Sequence, residues 1–313
     1  MDSPIHKRTE WLRQSGWGVM CHYLGEVKFT VDEWNRRVDS FDVEAFAAQL
    51  ADVGAGHLIF TVGQNSGFYA SPNDAYDRFV GIRPSKCSRR DLVMDIGKAL
   101  AKRNIRLIVY SSNGAPDADP VAVEKLQWKK GDLRLAEFQT MWETILREWS
   151  TRWGKLVSGW WLDGCYHVDA MYRQPEPPNQ YTFADALKAG NPDAILAFNP
   201  GVKIARCLEV EDYTAGEMSD NFPIGFWTWN KGPWFVTPLE EEFQGRQLHI
   251  LQYIGEWWGN GGPRFPDELL IGYAKLCLKY KTAVTWDVPI EPNGRIPDAF
   301  ISQLAKLPRR STI

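Results

Sequence analysis

The sequence predicts an α/β fold, a (β/α)8 TIM-like barrel that is somewhat irregular in its second half. Three observations carry this reading. Short apolar runs alternate with longer amphipathic stretches from end to end, the pattern of repeated βα units around a parallel sheet. Eight such runs can be counted along 313 residues, and an α/β barrel commonly takes about 250 residues in one domain. No glycine-rich phosphate loop follows the first run, as an open nucleotide-binding sheet would require. The chain is therefore expected to form one barrel domain over residues 1–313.

The first strand is expected at residues 18–23 and its helix at 41–53, where Phe41, Ala45, Phe46, Leu50 and Val53 recur at helical spacing before the stop signal Gly54. Residues 57–62 are continuous and apolar, as a strand covered on both faces should be. A helix over 91–102 leads to the third strand at 105–110, and a long helix over 132–153 leads to the fourth at 159–164. The fifth strand is expected at 194–198 and the sixth at 207–211. Residues 214–247 carry three Trp and little periodicity, so a long loop with short helical pieces is expected, and loops of that length are usually functional. A seventh strand at 248–253, a helix over 266–280, an eighth strand at 282–286 and a closing helix over 298–306 complete the barrel.

Composition narrows the function. With 36 basic and 39 acidic residues and no long block of either sign, the chain lacks the clustered cations that phosphate binding needs, so no nucleic-acid partner is expected. No stretch approaches the eighteen or so apolar residues of a membrane span, and the first residues lack an apolar signal core. A soluble, cytoplasmic protein is expected. Five scattered cysteines without a C-x-x-C point to reduced thiols. Neither a metal site nor a cofactor is expected, since Cys165-x-His167 is not part of the tighter Cys/His cluster that zinc sites usually show. The departure from ordinary composition is aromatic: 15 Trp, 15 Phe and 11 Tyr.

In such a barrel the working residues lie at the carboxyl ends of strands. Those ends carry His22 and Tyr23, Gln64 and Asn65, Tyr110 to Asn113, Asp163, Asn199, Glu211 and Asp212, Gln252, and Asp287. Carboxylates, amides and aromatics with few positive charges suit a neutral polyhydroxylated ligand, because Trp faces stack on sugar C–H faces while the polar groups bond hydroxyls. Asp163 stands out: the apolar run Trp160-Trp161-Leu162 delivers a carboxylate to its end and stops at Gly164. Glycoside cleavage needs two carboxylates, one of which attacks or stabilises the anomeric carbon. The alternative for Asp163 is a capping role after the strand.

The segment Trp161-Leu162-Asp163-Gly164 resembles the nucleophile motif W-F-D-G of the retaining α-L-fucosidases. Further segments resemble that family in the same order: residues 16–23 its F-G-x-F-x-H-W, which puts His22 at the sugar-binding His; Asp32-Glu33-Trp34 its E-W-Y; residues 41–46 its F-D-x-x-x-W; residues 90–93 its R-D-L-V; residues 212–217 its D-F-x-T-x-E; and residues 294–297 its G-R-I-P. The chain departs from the family where K-H-H-D-G-F is replaced by Gly63-Gln64-Asn65-Ser66-Gly67-Phe68, whose amides bond hydroxyls but do not titrate. The carboxyl-terminal β-sandwich of most members is expected to be missing, which leaves barrel faces that a second subunit could cover.

The resemblance implies an exo-acting retaining glycosidase for an α-L-fucoside or related sugar. Asp163 would be the nucleophile and Glu217 the acid/base, with Glu256, set between aromatics, as the other choice. Sugar contacts are expected from His22, Glu33, Trp34, Gln64, Asn65 and Trp161, with Trp227, Trp229 and Trp258 as pocket walls. The competing reading is a catalytically weak or inactive barrel that binds glycans, suggested by the replaced His pair.

Overall fold

The structure, a computed structural model, describes residues 4–219, 222 and 239–309. Among the described residues nine strands occur in chain order: β1 (Trp17–Cys21), β2 (His57–Thr61), β3 (Arg106–Ser112), β4 (Val157–Asp163), β5 (Ile195–Phe198), β6 (Glu242–Phe243), β7 (Arg246–Gln247), β8 (His249–Tyr253) and β9 (Ala283–Val288). Seven of them form one curled parallel sheet in the order β5-β4-β3-β2-β1-β9-β8, and β6 pairs with β7 in a separate hairpin. The expected barrel is thus present, and β1 to β4, β8 and β9 are each followed by one or more helices, as in a βα-barrel.

The sixth barrel position differs from expectation. Residues 207–211 form a turn, in which the Glu211 carboxylate accepts the Cys207 N–H at 2.6 Å. The position is filled instead by residues 212–218. On one side the Asp212 amide donates to Leu196 O on β5 at 2.8 Å; on the other, Leu251 on β8 donates to Gly216 O at 2.8 Å and the Met218 amide donates to Leu251 O at 2.9 Å. Gly216 makes this segment irregular. Its φ is +65°, and a Cβ there would sit 1.8 Å from His249 O, so only glycine lets the chain approach β8 so closely.

Local signals explain most other elements. The helix Val43–Val53 starts at Asp42, whose side chain accepts the Ala45 amide, and ends at Gly54 with φ 91°. Several helices escape the sequence reading, including Pro4–Gln14, Val31–Asp39 and Gln180–Leu187. The last two are short and set by caps at Thr30 and Asn179 rather than by a long apolar stripe.

The aromatic excess divides between two layers. On β4 the side chains alternate across the sheet, as strand geometry requires. Trp160 faces outward against Trp153 at 5.8 Å, whereas Trp161 faces the barrel interior and stacks on Tyr110 at 5.2 Å and 17°. Deeper inside, His57 and His249 each bond the Thr285 hydroxyl at 2.7 Å, and burial pushes the His249 pKa down to about 4. All five cysteines are buried and unpaired. Among the described residues no helix is long and apolar enough to cross a membrane.

Candidate active site

The carboxyl ends of the strands converge on a cavity of about 300 Å³ whose polar wall is Asp163, Glu217, His22, Gln64 and Tyr110. Asp163 is the last residue of β4, paired with Ser112 of β3 in a register that also pairs Trp161 with Tyr110. That register brings the Tyr110 hydroxyl to 2.6 Å from Asp163 Oδ2, where it donates. Burial, followed by the nearby Asp163 charge, pushes the Tyr110 pKa far up, so the phenol stays a donor. Gln64 Nε2 donates more weakly to the same oxygen at 3.4 Å. Asn199, just past β5, donates its amide nitrogen to Asp163 Oδ1 at 2.9 Å and also to Glu217 Oε2.

Glu217 reaches this point because the irregular segment 212–218 bends at Gly216. Its carboxyl is held above the usual range by burial, with the Asp163 charge adding to the effect; the Asn199 hydrogen bond and His22 oppose it. Glu217, with its raised carboxyl pKa, thus stands beside Asp163, which accepts three hydrogen bonds from neutral donors. Two carboxyl groups with separated roles are what acid-assisted displacement at an acetal carbon requires.

His22, just beyond β1, is fixed by Asp287 at the end of β9, with Nδ1 2.7 Å from Asp287 Oδ2. The other Asp287 oxygen accepts the Gly259 N–H at 2.5 Å, which ties the loop after β8 to the same carboxylate. Burial alone would lower the His22 pKa; Asp287, with smaller contributions from Asp163 and Glu217, overrides it, and the net shift is upward. The remaining walls are apolar: Met20, Leu24, Leu251, Trp161, Trp257 and Trp258.

Of the residues expected from sequence, His22, Gln64, Trp161, Trp258, Asp163 and Glu217 come together here. Asn65 lines an adjoining cavity rather than this one. Three others lie elsewhere. Glu33 is spent on a capping box, accepting the Thr30 amide at 2.7 Å on an exposed helix end. Trp34 is fully buried between Tyr23 and Phe68, its indole N–H donated to Tyr69 O at 3.0 Å, so it packs in the core and does not line the cavity. Glu256 is exposed in the loop after β8 and does not line the cavity, so the apolar surroundings expected for it are lacking. Trp227 and Trp229 fall outside the described residues. Tyr110, Asn199 and Asp287 were legible only as strand ends; the register that aims them at Asp163 and His22 involves pairings between distant segments. Among the described residues no cluster of His, Cys, Asp or Glu could hold a metal ion.

Solved structures resemble this architecture along nearly its whole length. The endo-fucoidan hydrolase MfFcnA4 of glycoside hydrolase family 107 superposes with a TM-score of 0.71 at 18% identity, covering 96% of this chain and 53% of that one. A second endo-fucoidan hydrolase of the same family, P5AFcnA, gives 0.69 at 16% identity, over 96% and 91% of the two chains. The fold is that of the fucosidase-like glycoside hydrolases. An α-L-fucosidase of family 29 from Bacteroides thetaiotaomicron gives 0.63 at 15% identity, over 97% and 72%. The chain spans about half the length of MfFcnA4. No family model matches it, and no curated protein matches it in sequence. At such identities the likeness is one of fold, and the fucosidase-like fold agrees with the resemblance read from the motifs.

Proposed function

We propose that the chain is a retaining glycoside hydrolase acting on a fucoside or a related sugar glycoside. The observation that carries the proposal is the Asn199 amide nitrogen, which donates to both Asp163 and Glu217. Two oxygens bonded to one nitrogen are separated by at most roughly 6 Å, the sum of two ordinary hydrogen bonds. Retaining glycosidases hold their carboxyl groups about 5–5.5 Å apart, whereas inverting ones need about 6.5–9.5 Å for a water.

In the first step an Asp163 carboxylate oxygen attacks the anomeric carbon. The bond from that carbon to the glycosidic oxygen breaks, and the Glu217 proton passes to the departing oxygen. The product is a glycosyl ester of Asp163 and a free alcohol. In the second step water attacks the same carbon, Glu217 takes its proton, and the sugar leaves with Asp163 restored. His22 and Gln64 supply hydrogen bonds to hydroxyls, and the Trp258 ring beside His22 offers a face to sugar C–H bonds. Met20, Leu24 and Leu251 form an apolar wall that favours a deoxy sugar, whose methyl group needs no hydrogen-bond partner. Exo action, as the motif resemblance implies, needs a single chamber closed behind the sugar.

A panel of 4-nitrophenyl glycosides tests the proposal. Release of nitrophenol from an α-L-fucoside or another deoxy-sugar glycoside, lost in Asp163→Asn, is the expected result. Binding of these sugars without release by the wild type would favour a glycan-binding barrel.

A further inference from the structure

The amino ends of β3 and β4 border a separate cavity of about 580 Å³, which shares no lining residue with the catalytic one. Ser158, near the start of β4, lines it, whereas Asp163 ends the same strand at the catalytic cavity; that length of strand puts them roughly 16 Å apart. The helix Pro4–Gln14 lies across this end of the barrel. Its Leu12 is buried with Met20, Ile59 and Ile108 of the barrel interior, and its Arg8 donates from Nε at 3.0 Å and Nη2 at 2.6 Å to Asp212 Oδ1.

Charge sets this cavity apart. Lys7, Arg8, Arg106 and Lys155 line it against one carboxylate, Asp193. They come from three distant parts of the chain, so no basic run longer than a pair marks them in the sequence. Asp212 neutralises Arg8 only in part, because it also accepts Lys188 at 3.1 Å. Among the described residues Lys7, Arg106 and Lys155 have no carboxylate partner, and Asp193 pairs with none of them. Like charges gathered without counter-charge repel one another, and a bound anion relieves that repulsion.

Two further features make this more than a charged surface. The Arg106 guanidinium lies over the Trp11 ring, 5.8 Å from its centroid, which orients the planar N–H fork that suits an oxyanion. Ser158 is placed by an irregularity in the sheet. Leu107 pairs with Val157 but the next residue, Ile108, pairs with Gly159, so Ser158 is an extra residue, and bulges of this kind re-aim a side chain. Ser158 is only 5% exposed, and its hydroxyl has no hydrogen-bond partner among the described residues. A buried hydroxyl without a partner is costly, and an oxyanion in the cavity would accept its proton in a hydrogen bond.

We propose that this cavity is a second binding site, for a small molecule that carries a phosphate monoester. Three cations without partners match a phosphate monoester, with a charge of roughly −2 near neutral pH, better than a singly charged sulfate ester. The volume falls in the range of about 300–1,000 Å³ typical of small-molecule sites, so the occupant is a whole molecule and not a bare ion.

Calorimetric titration of the full chain in low-salt, phosphate-free buffer tests this without reading turnover, so the result stands whether or not the glycosidase reading does. The probes are galactose 6-phosphate, galactose 6-sulfate, galactose and inorganic phosphate. Galactose 6-phosphate should bind one to one with a Kd below about 1 mM, and at least about tenfold more tightly than the other three. Arg106→Ala and Lys155→Ala should each weaken it by about tenfold or more, and Ser158→Ala should weaken it as well. The melting temperatures of the two cation variants without ligand should be unchanged or raised, which separates lost binding from lost folding. Absence of binding at millimolar galactose 6-phosphate, or binding unchanged in both cation variants, overturns the inference. Equal affinity for the sulfate ester overturns the phosphate assignment, and equal affinity for inorganic phosphate reduces the site to a charged patch and overturns it too.

Discussion

His22 and Asp287 are joined at 2.7 Å across the start and end of the chain, 265 residues apart in sequence, by the pairing of β1 with β9. Asp287 is wholly buried while the imidazole reaches the cavity, so one side chain positions and the other meets the ligand.

Replacing Asp287 by Asn should lower kcat/KM by about 10- to 100-fold, in the range found for residues that orient a ligating or catalytic His. It should also lower the His22 pKa, read by NMR titration, because the charge that raises it is gone. A raised folded-state pKa means that this pair contributes stability below the ordinary His value of about 6.5 and loses it as pH climbs through the raised value. The wild-type stability advantage over Asp287→Asn should therefore shrink at alkaline pH. An unmoved His22 titration would remove the positioning role.

Glu217→Gln should reduce turnover of a glycoside with a poor leaving group by about 10²- to 10⁴-fold, the usual worth of general acid catalysis. A dinitrophenyl leaving group, which needs no proton, should recover much of the first step, and azide should accelerate the second. Burial and Asp163 keep Glu217 protonated above the usual carboxyl range, so the alkaline limb of the pH profile should lie above that range and vanish in the variant. A retained alkaline limb would assign it to another group.

Tyr110→Phe deletes the hydroxyl that donates to Asp163 but keeps the ring stacked on Trp161. A loss of about 10- to 150-fold in kcat with little change in melting temperature is expected, since a hydrogen bond to a charged group is worth about 1.5–3 kcal/mol. A large drop in melting temperature would make the residue structural.

Glu33→Ala breaks the Thr30 capping box and nothing in the cavity. It should lower the melting temperature by less than about 4 °C and leave kcat/KM unchanged. A loss of activity at equal stability would return Glu33 to the site.

Much of this arrangement could be read from sequence because its causes are local. The strands around Val19, Ile59, Ile108 and Trp161 are short apolar runs, and Asp163 ends one of them before a glycine. What failed has identifiable reasons. The run 207–211 alternates apolar and polar residues, yet Glu211 bonds back to Cys207 and makes a turn. Glu33 and Trp34 matched a short motif, but three-residue matches carry no information about which face of a helix meets the ligand. Glu256 sits among aromatics in sequence and faces solvent in space. Tyr110, Asn199 and Asp287 needed the strand register, which depends on contacts across the whole barrel.

Formation of a covalent bond between Asp163 and the sugar is tested by trapping. A 2-deoxy-2-fluoro fucosyl fluoride slows both steps but keeps a good leaving group. An intact mass increased by one glycosyl group and a labelled peptide that contains Asp163 are expected. A label on a different carboxylate, or continued turnover of the reagent with no label at any time, would contradict it.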